Sequence, residues 1–355
     1  MERKFTKLRL QAKSRSSMNS TCIYCKETKV TSDFSREHVL PEAFGQFKGT
    51  LVLHDAVCRE CNQYFGNTLD NILARGSMQG AIRYFRGVRP LKKFSDVDRE
   101  RVKLSARAPG QENLRQAEFV ETPEGEGLTF TPGITYQSIS SNKEQFVSLE
   151  ELEGSNWNES DDIDHEQLVI LSYNDARILE RIKGALAKLK LRVEILDTID
   201  ETAVGQRILV VVDAVKEDIL IYRAIAKIAF NYLAYTMSRD FALQPIFDRI
   251  RTFIHEDSET TTMVKRISPM KIFGDREEAA RRRGHILGIE LAADNATIRG
   301  FVEFFGVMTY EVTLGKFGQI AIPISAGHYF DVTSKQVIQM DAIRPPPGLW
   351  IPRKR

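Results

Sequence analysis

Two C-x-x-C pairs near the start of the chain constrain its fold more than any other feature. The chain has 355 residues, and its four cysteines are Cys22, Cys25, Cys58 and Cys61. Two such pairs can surround a zinc ion with four thiolates, each pair from one side, at Zn–S distances of about 2.3 Å. The spacing therefore predicts a structural Zn²⁺ site that holds two separate segments together in a small domain.

Other uses of paired cysteines are less consistent with this sequence. Disulfides of a secreted protein normally accompany a signal peptide, and residues 1–20 contain no apolar core of the required length. A redox C-x-x-C pair needs no second copy and is expected beside a βαβ pattern. No apolar run approaches the ~20 residues of a membrane helix. We therefore expect a zinc-binding cytoplasmic protein without a membrane partner.

The segment that includes the cysteine pairs carries a recognisable set of polar residues. In chain order it contains Glu37-His38-Val39-Leu40-Pro41, Gly45, Asn62, Gly66 and Asp70. Together with the two C-x-x-C pairs, this order and spacing resembles the HNH (ββα-metal) endonuclease family, in its branch with zinc-binding cysteine pairs. The resemblance covers residues 20–75. It implies two strands and a helix around a site for phosphodiester hydrolysis, with DNA as the partner.

The resemblance also implies a role for each polar residue. His38 is expected to be the general base that takes a proton from the attacking water, a task that suits histidine because it titrates near neutral pH. Glu37 and Asn62 are expected to hold a catalytic divalent cation. Their hard oxygen ligands favour Mg²⁺ or Mn²⁺ over a second zinc ion.

One position departs from the family pattern. The middle residue of the motif, often an asparagine that orients the catalytic histidine, falls in this chain at Leu53-His54-Asp55. Either polar residue has a side chain that can hydrogen-bond to nearby backbone. His54 is therefore a candidate catalytic residue, and an ordinary exposed strand residue is the alternative.

Charge is unevenly distributed, although the formal net charge is only +2. Residues 1–20 carry six Lys or Arg against one acid, residues 71–107 carry ten against three, and residues 144–166 carry nine acids and no Lys or Arg. Clustered cations gain affinity for DNA by releasing counterions from its phosphates. A solvated helix face is the alternative. The candidate DNA contacts are Arg36, Arg83, Arg86 and Arg89.

Composition and periodicity predict an α+β protein of several domains. We expect a basic arm (1–20), a zinc-stapled nuclease domain (21–75), a basic and then β-rich, acidic middle region (76–215), an α+β region (216–340) and a basic tail (341–355). Helices are expected over 175–191, 219–237 and 245–254, and strands over 208–213, 285–291, 298–314 and 319–324. In helix 219–237, Arg223, Lys227, Asn231 and Tyr235 recur every four residues. Such a stripe either binds phosphates or is a solvated or domain-facing edge.

The sequence therefore predicts a metal-dependent HNH endonuclease that hydrolyses DNA by nicking or double-strand cleavage. A single site cuts one strand, so a double-strand break requires a homodimer or two successive nicks. The resemblance suggests bacterial restriction, anti-phage defence or a mobile element as the setting, with a homodimer or defence-system proteins as partners. The alternative is a zinc-knuckle DNA-binding regulator, which needs zinc but does not need Glu37, His38 or Asn62.

Overall fold

The chain divides into two compact units, which are interleaved in sequence. A computed structural model gives one unit as Met1–Leu73 with Asp218–Arg355, and the other as Ala74–Glu217. The cysteine-rich segment and the C-terminal region thus belong to the same unit. The structure describes residues 19–98, 101–107, 115–122, 125–142, 144–154, 168–171, 176–189, 191, 209–214, 219–256, 263–267, 283–318 and 324–340.

The first unit begins with a small zinc-knuckle hairpin followed by a ββα motif. The hairpin strands are β1 (Asn19–Thr21) and β2 (Thr28–Val30), with the first cysteine pair in the turn between them. The motif consists of β3 (Phe34–His38), β4 (Val52–Cys58) and helix α1 (Arg59–Phe65). The helix continues through a π-helical turn (Gly66–Asp70) into α2 (Asn71–Arg75). Two strands and a helix are the arrangement that the resemblance implies.

Pairing between β3 and β4 is antiparallel and interrupted by a bulge. Phe34 pairs with Cys58 and His38 with Val52, while the register shifts between Ser35 and Glu37. The additional residues of β4 lie around Asp55, whose φ of 53° is left-handed. Aspartate tolerates this conformation better than most residues. The bulge separates the half of the hairpin next to the cysteines from the half that carries Glu37 and His38.

In its described residues the second unit contains two antiparallel sheets and the three α-helices α3, α4 and α5. Its sheets have the strand orders β11-β5-β6-β7 and β10-β8-β9, and α5 packs beside the second sheet through Ile182 and Leu186. Its elements are α3 (Met78–Phe85), β5 (Val102–Arg107), β6 (Arg115–Thr122), β7 (Gly125–Phe130), β8 (Gly133–Gln137), β9 (Glu144–Ser148), α4 (Leu149–Glu153), β10 (Val169–Leu171), α5 (Ala176–Lys188) and β11 (Leu209–Ala214).

The chain then returns to the first unit with a central helix and a large sheet. The sheet is antiparallel, with the order β12-β15-β14-β13-β16-β17. The elements are α6 (Ile219–Met237), α7 (Arg239–Ala242), α8 (Asp248–His255), β12 (Val264–Ile267), β13 (His285–Leu291), β14 (Thr297–Phe304), β15 (Met308–Lys316), β16 (Ser325–Asp331) and β17 (Gln336–Met340). Within the part of the chain covered by these elements, no helix combines the length and apolar composition needed to span a membrane.

Helix α6 is the element that connects the ββα motif to the large sheet. One side of it contacts β13, β14 and β15, and another contacts β4 and the π-helical turn. Gly300 permits the close approach to the sheet, because a Cβ atom there would lie 2.8 Å from the Cβ of Ala229. The loop between β3 and β4 also pairs with the sheet, because Lys48 and Gln336 form a parallel β-bridge. The C-terminal region thus contacts the ββα motif through α6 and through β17.

The predicted α+β fold class is confirmed, with a cysteine cluster in the N-terminal domain and a C-terminal region that is mainly β-sheet. Helix α6 and strand β13 have the bounds that their periodicity predicts. The run 298–314 is instead two strands, because the chain reverses at Phe305 and Gly306, which both have positive φ. A phenylalanine in that position gives no turn signal in sequence. Residues 1–18 of the basic arm, the basic tail, residues 155–166 of the acidic segment and residues 319–323 lie outside the described residues.

Candidate active site and zinc centre

The four cysteines converge on one point between the zinc knuckle and α1. Their Sγ atoms all lie within 4.8 Å of one another, and Cys25 Sγ is 3.8 Å from Cys58 Sγ. Thiolates arranged tetrahedrally around zinc at about 2.3 Å are about 3.8 Å apart, so the cluster has the dimensions of a zinc site. All four are free thiols, and three of them are buried.

The thiol chemistry of this cluster also fits a bound cation. A hydrogen bond from Cys61 lowers the pKa of Cys22 to about 5, and that bond raises the pKa of Cys61 in turn. Burial raises the pKa of Cys25 and of Cys58, the latter to about 12. The four thiols therefore do not ionise independently of one another. A divalent ion is what allows four neighbouring sulfurs to ionise together, so the donor set fits Zn²⁺.

His255, at the end of α8, is a neighbour of this cluster that the sequence does not reveal. Its Nε2 atom lies 3.8 Å from Cys61 Sγ, and its ring stacks on Tyr64 of α1. The backbone N–H of Cys58 also donates to Cys22 Sγ, at 3.4 Å. N–H groups beside sulfur ligands reduce the negative charge that a Cys₄ site accumulates and hold the ligands in place.

His38 lies at the end of β3, where the pairing with β4 finishes. Its Nε2 atom is 3.3 Å from Oε1 of Glu42, and its side chain is 23% exposed. Its Nδ1 atom is buried and has no hydrogen-bond partner within the described part of the chain. The ring as a whole is partly accessible, and of its two nitrogens Nδ1 is buried while Nε2 faces Glu42.

Asn62 of α1 is hydrogen-bonded to β3, the strand that carries His38. Its Nδ2 atom donates to Ser35 Oγ at 2.7 Å and to the Arg36 carbonyl oxygen at 3.1 Å. Both bonds use the amide nitrogen, so the amide oxygen has no hydrogen bond to any residue that the structure describes. An amide held in this way offers an oxygen, which is a suitable ligand for a hard divalent cation.

Glu37 is buried against α6, with 4% of its surface exposed. Its Oε1 atom accepts a hydrogen bond from Asn231 Nδ2 at 2.8 Å and lies 2.7 Å from Lys227 Nζ. Lys227, which is 1% exposed, also contacts both carboxylate oxygens of Asp70, at 2.9 and 2.7 Å. One buried ammonium thus joins Glu37 to Asp70.

Electrostatics favour the charged form of Lys227 in spite of its burial. Burial opposes the charge of Lys227, but the Asp70 and Glu37 carboxylates outweigh it and raise the pKa of the lysine. Burial raises the pKa of Glu37, against the lowering effect of Lys227, and the charge of Asp70 adds to that rise. When both carboxylates are ionised, the three groups carry a net charge of −1. A cation beside Glu37 would balance that charge.

The structure brings some of the predicted site residues together. Glu37 and His38 are adjacent on β3, and Asn62 is hydrogen-bonded to the same strand, although no hydrogen bond links the three side chains directly in the described chain. His54 is exposed at the bulge of β4, without a hydrogen bond from its ring to another described residue. Whether His54 or Asp55 takes the middle position of the motif stays a prediction.

The predicted DNA contacts differ in accessibility. Arg36 and Arg89 are exposed and Arg86 is half-buried, whereas Arg83 is 3% exposed. The Arg83 guanidinium donates to the Tyr84 hydroxyl, and burial lowers its pKa. A phosphate contact requires an accessible cation, so we correct the set of candidates by removing Arg83.

The comparison with known families agrees with this geometry. Residues 22–77 match the HNH endonuclease family model. This match confirms the resemblance seen in the sequence, supports a nuclease and implies DNA as its substrate. HNH nucleases use divalent metals, and the cysteine cluster can bind zinc. No curated protein and no solved structure is similar enough to the chain to count as a match.

Sequence reasoning did not find the partners of Glu37. Asn231 is 194 residues from Glu37, and Lys227 is 157 residues from Asp70. The polar stripe on α6 is the signal that could have found them. It is buried and directed at the HNH segment, so the second interpretation of that stripe is the correct one for Lys227 and Asn231. A phosphate-binding stripe would be exposed.

Proposed function

We propose that this protein is a metal-dependent endonuclease that hydrolyses phosphodiester bonds of DNA. The observation that carries the proposal is the ββα motif, in which Asn62 fastens α1 to the strand that holds Glu37 and His38. A motif with this family match and this arrangement of a base and two oxygen ligands suits hydrolysis of a phosphate ester.

The residues of the chain have separate tasks in this proposal. His38 accepts the proton of the attacking water, and Glu42 lies beside its Nε2 atom, at 3.3 Å. Glu37 and Asn62 hold Mg²⁺ or Mn²⁺ through oxygen atoms. When bound, the cation supplies positive charge at the scissile phosphate and at the leaving oxygen. The four cysteines hold Zn²⁺ as a structural ion and take no part in the chemistry.

Strand choice and biological setting belong to the proposal as well. A single site cuts one strand, and we propose that the elementary activity is nicking, with double-strand cleavage requiring a homodimer or a second nick. Restriction, anti-phage defence or a mobile element is the setting we propose, in the cytoplasm. Arg36, Arg86 and Arg89 are the proposed phosphate contacts.

One observation favours the non-catalytic alternative, a zinc-knuckle DNA-binding regulator. Glu37, a proposed metal ligand, already has a lysine and an asparagine as partners. A carboxylate whose sole task is to pair with Lys227 would hold no catalytic ion. Cleavage assays decide between the two.

The test is a plasmid-nicking assay on zinc-loaded protein across Mg²⁺, Mn²⁺ and Ca²⁺, with His38→Ala beside the wild type. General-base catalysis contributes about 10²–10⁴-fold, so the variant should lose cleavage by that factor. Its zinc content, unfolding midpoint and DNA affinity should stay near wild type, because a partly exposed histidine contributes little to stability. DNA binding without nicking under any divalent metal would contradict the enzyme and support the regulator.

A further inference from the structure

Helix α6 buries polar side chains that a core helix normally avoids. Lys227 and Asn231 are one turn apart and almost completely inaccessible, at 1% and 0% exposed. Removing an ammonium group from water costs several kcal/mol even after the protein relaxes around it. A buried lysine therefore requires close anionic partners, and Lys227 has two of them, Glu37 and Asp70.

Both α6 side chains reach the same atom of Glu37. Lys227 Nζ and Asn231 Nδ2 lie 2.7 and 2.8 Å from Oε1. The Oε2 atom has no hydrogen bond to any residue in the described part of the chain. The carboxylate is thus held by one oxygen, and the other oxygen is not used by the protein.

The orientation of Asn231 follows from the hydrogen-bonding chemistry of its neighbours. An ionised carboxylate only accepts hydrogen bonds, so the amide nitrogen of Asn231 has to face Glu37. Its amide oxygen then faces the Tyr24 hydroxyl, which donates to it at 2.7 Å. Tyr24 is fixed in turn by edge contacts with Phe65 and Phe230. Asn231 therefore holds the Glu37 carboxylate in an orientation that its own buried neighbours fix.

We propose that Lys227 and Asn231 are positioning residues that hold Glu37 by Oε1 and leave Oε2 for the divalent cation. This inference rests on the proposed function, because it concerns the same metal ligand. It extends the site beyond residues 22–77, since the C-terminal region supplies the groups that support one of the ligands. Residues of this kind are neither ligands nor catalytic groups, and they act only through Glu37.

The surface of the same domain offers a matched control. Lys29 also lies between two carboxylates, at 2.9 Å from Glu60 and 3.1 Å from Glu27. Both acids are exposed, and neither is a proposed metal ligand. Lys29→Met therefore removes the same chemical group from a similar ion-pair arrangement without affecting Glu37.

The experiment measures Mn²⁺ binding to full-length, zinc-loaded protein by the electron paramagnetic resonance signal of free Mn²⁺. Loss of a group that supports a metal ligand typically weakens metal binding 10–100-fold. We expect that loss for Lys227→Met, a substantial recovery for Lys227→Arg, and wild-type binding for Lys29→Met. Zinc content and circular dichroism establish that each variant is folded. Rescue by arginine separates a positioning role from simple packing, because arginine restores the charge at the cost of a poorer fit.

Two further variants make each outcome decisive. Glu37→Gln defines the Mn²⁺ binding that depends on this carboxylate, and unchanged binding in that variant would overturn the ligand assignment in the proposed function. Weaker binding in Glu37→Gln with wild-type binding in folded Lys227→Met would overturn the positioning role alone. Tighter binding in Lys227→Met would also overturn it, because the ammonium would then be a competitor of the cation. If Lys227→Met does not fold, Asn231→Leu, which leaves no new unpaired buried charge, replaces it in the same comparison.

Discussion

The first unit contains two buried anionic clusters that obtain their positive charge from different sources. The cysteine cluster gathers four sulfurs within 4.8 Å and requires an ion from solution before all of them can ionise. The carboxylates of Glu37 and Asp70 are instead bridged by Lys227, a cation that belongs to the chain. A chelator could therefore compete for an ion bound to the cysteine cluster, whereas it cannot remove the lysine that bridges the two carboxylates. Because one lysine bridges two carboxylates, the group keeps a net negative charge when both are ionised, and a bound cation would balance it.

The largest expected effect concerns the cluster that depends on solution zinc. Zinc binding to such thiolate sites is worth about 10–16 kcal/mol in isolated zinc-finger peptides, and that energy is folding energy. We expect Cys58→Ser, or a strong chelator, to unfold the segment around residues 19–73, as detected by zinc content and limited proteolysis. Thr28→Val is the matched control, because Thr28 is exposed beside the knuckle and bonds only to Thr21 in the described chain. A zinc-free Cys58→Ser protein with wild-type protease resistance would contradict this prediction.

His285 is a buried ionisable side chain that, unlike Lys227, has no counter-ion among the described residues. Burial lowers the pKa of His285 to about 3, against an ordinary value of 6.5. Phe44, Phe47, Phe304 and Phe305 surround its ring. The unfolded chain takes up this proton below pH ~6.5 while the folded chain does not, so stability falls by about 1.4 kcal/mol per pH unit between the two pKa values.

Urea unfolding of the wild type and His285→Leu at several pH values measures this contribution. We expect the wild type to lose stability more steeply than the variant between pH 6.5 and 4, and with the same slope above pH 7. Parallel curves over the whole range would show that His285 is not held neutral by burial.

The smallest expected effect concerns an exposed charge next to the buried ones. Arg36 is exposed and adjacent to Glu37, and each phosphate contact contributes about 0.9 to the slope of log affinity against log salt on duplex DNA. Arg36→Gln should reduce the slope by about that amount and weaken binding to all sequences alike, because phosphate contacts carry no base information. Salt titrations that coincide with those of the wild type would show that Arg36 does not contact a phosphate.

The contrast between the two clusters also explains how far sequence alone can predict this protein. The four cysteines, His38, Glu37 and Asn62 lie in one short segment with characteristic spacing, so local pattern was enough to predict the cysteine cluster and the ββα motif. Lys227 and Asn231 are distant in sequence, and only the packing of α6 against the HNH segment brings them to Glu37. The α6 periodicity predicted a helix and a polar stripe, but periodicity does not specify which neighbour a stripe will meet.

The same limit applies to individual side chains elsewhere. Arg83 belongs to a basic segment that favoured DNA contacts, yet it is buried beside Tyr84, because a charge count along the chain does not show which way each side chain points. The turn at Phe305 and Gly306 carries no Asn-Gly signal and was hidden within a predicted strand. Both depend on tertiary packing, which can override local preference.

A double-mutant cycle between Glu37 and Lys227 tests most directly whether the nuclease-like segment depends on a cation from α6. Removing one partner of a buried ion pair costs about 3–5 kcal/mol, because the other charge is left uncompensated. We expect Glu37→Gln and Lys227→Met each to destabilise the zinc-loaded protein, and the double variant to be more stable than their sum predicts by about 2–3 kcal/mol. Unfolding free energies that add within about 0.5 kcal/mol would contradict a direct pairing of Lys227 with Glu37.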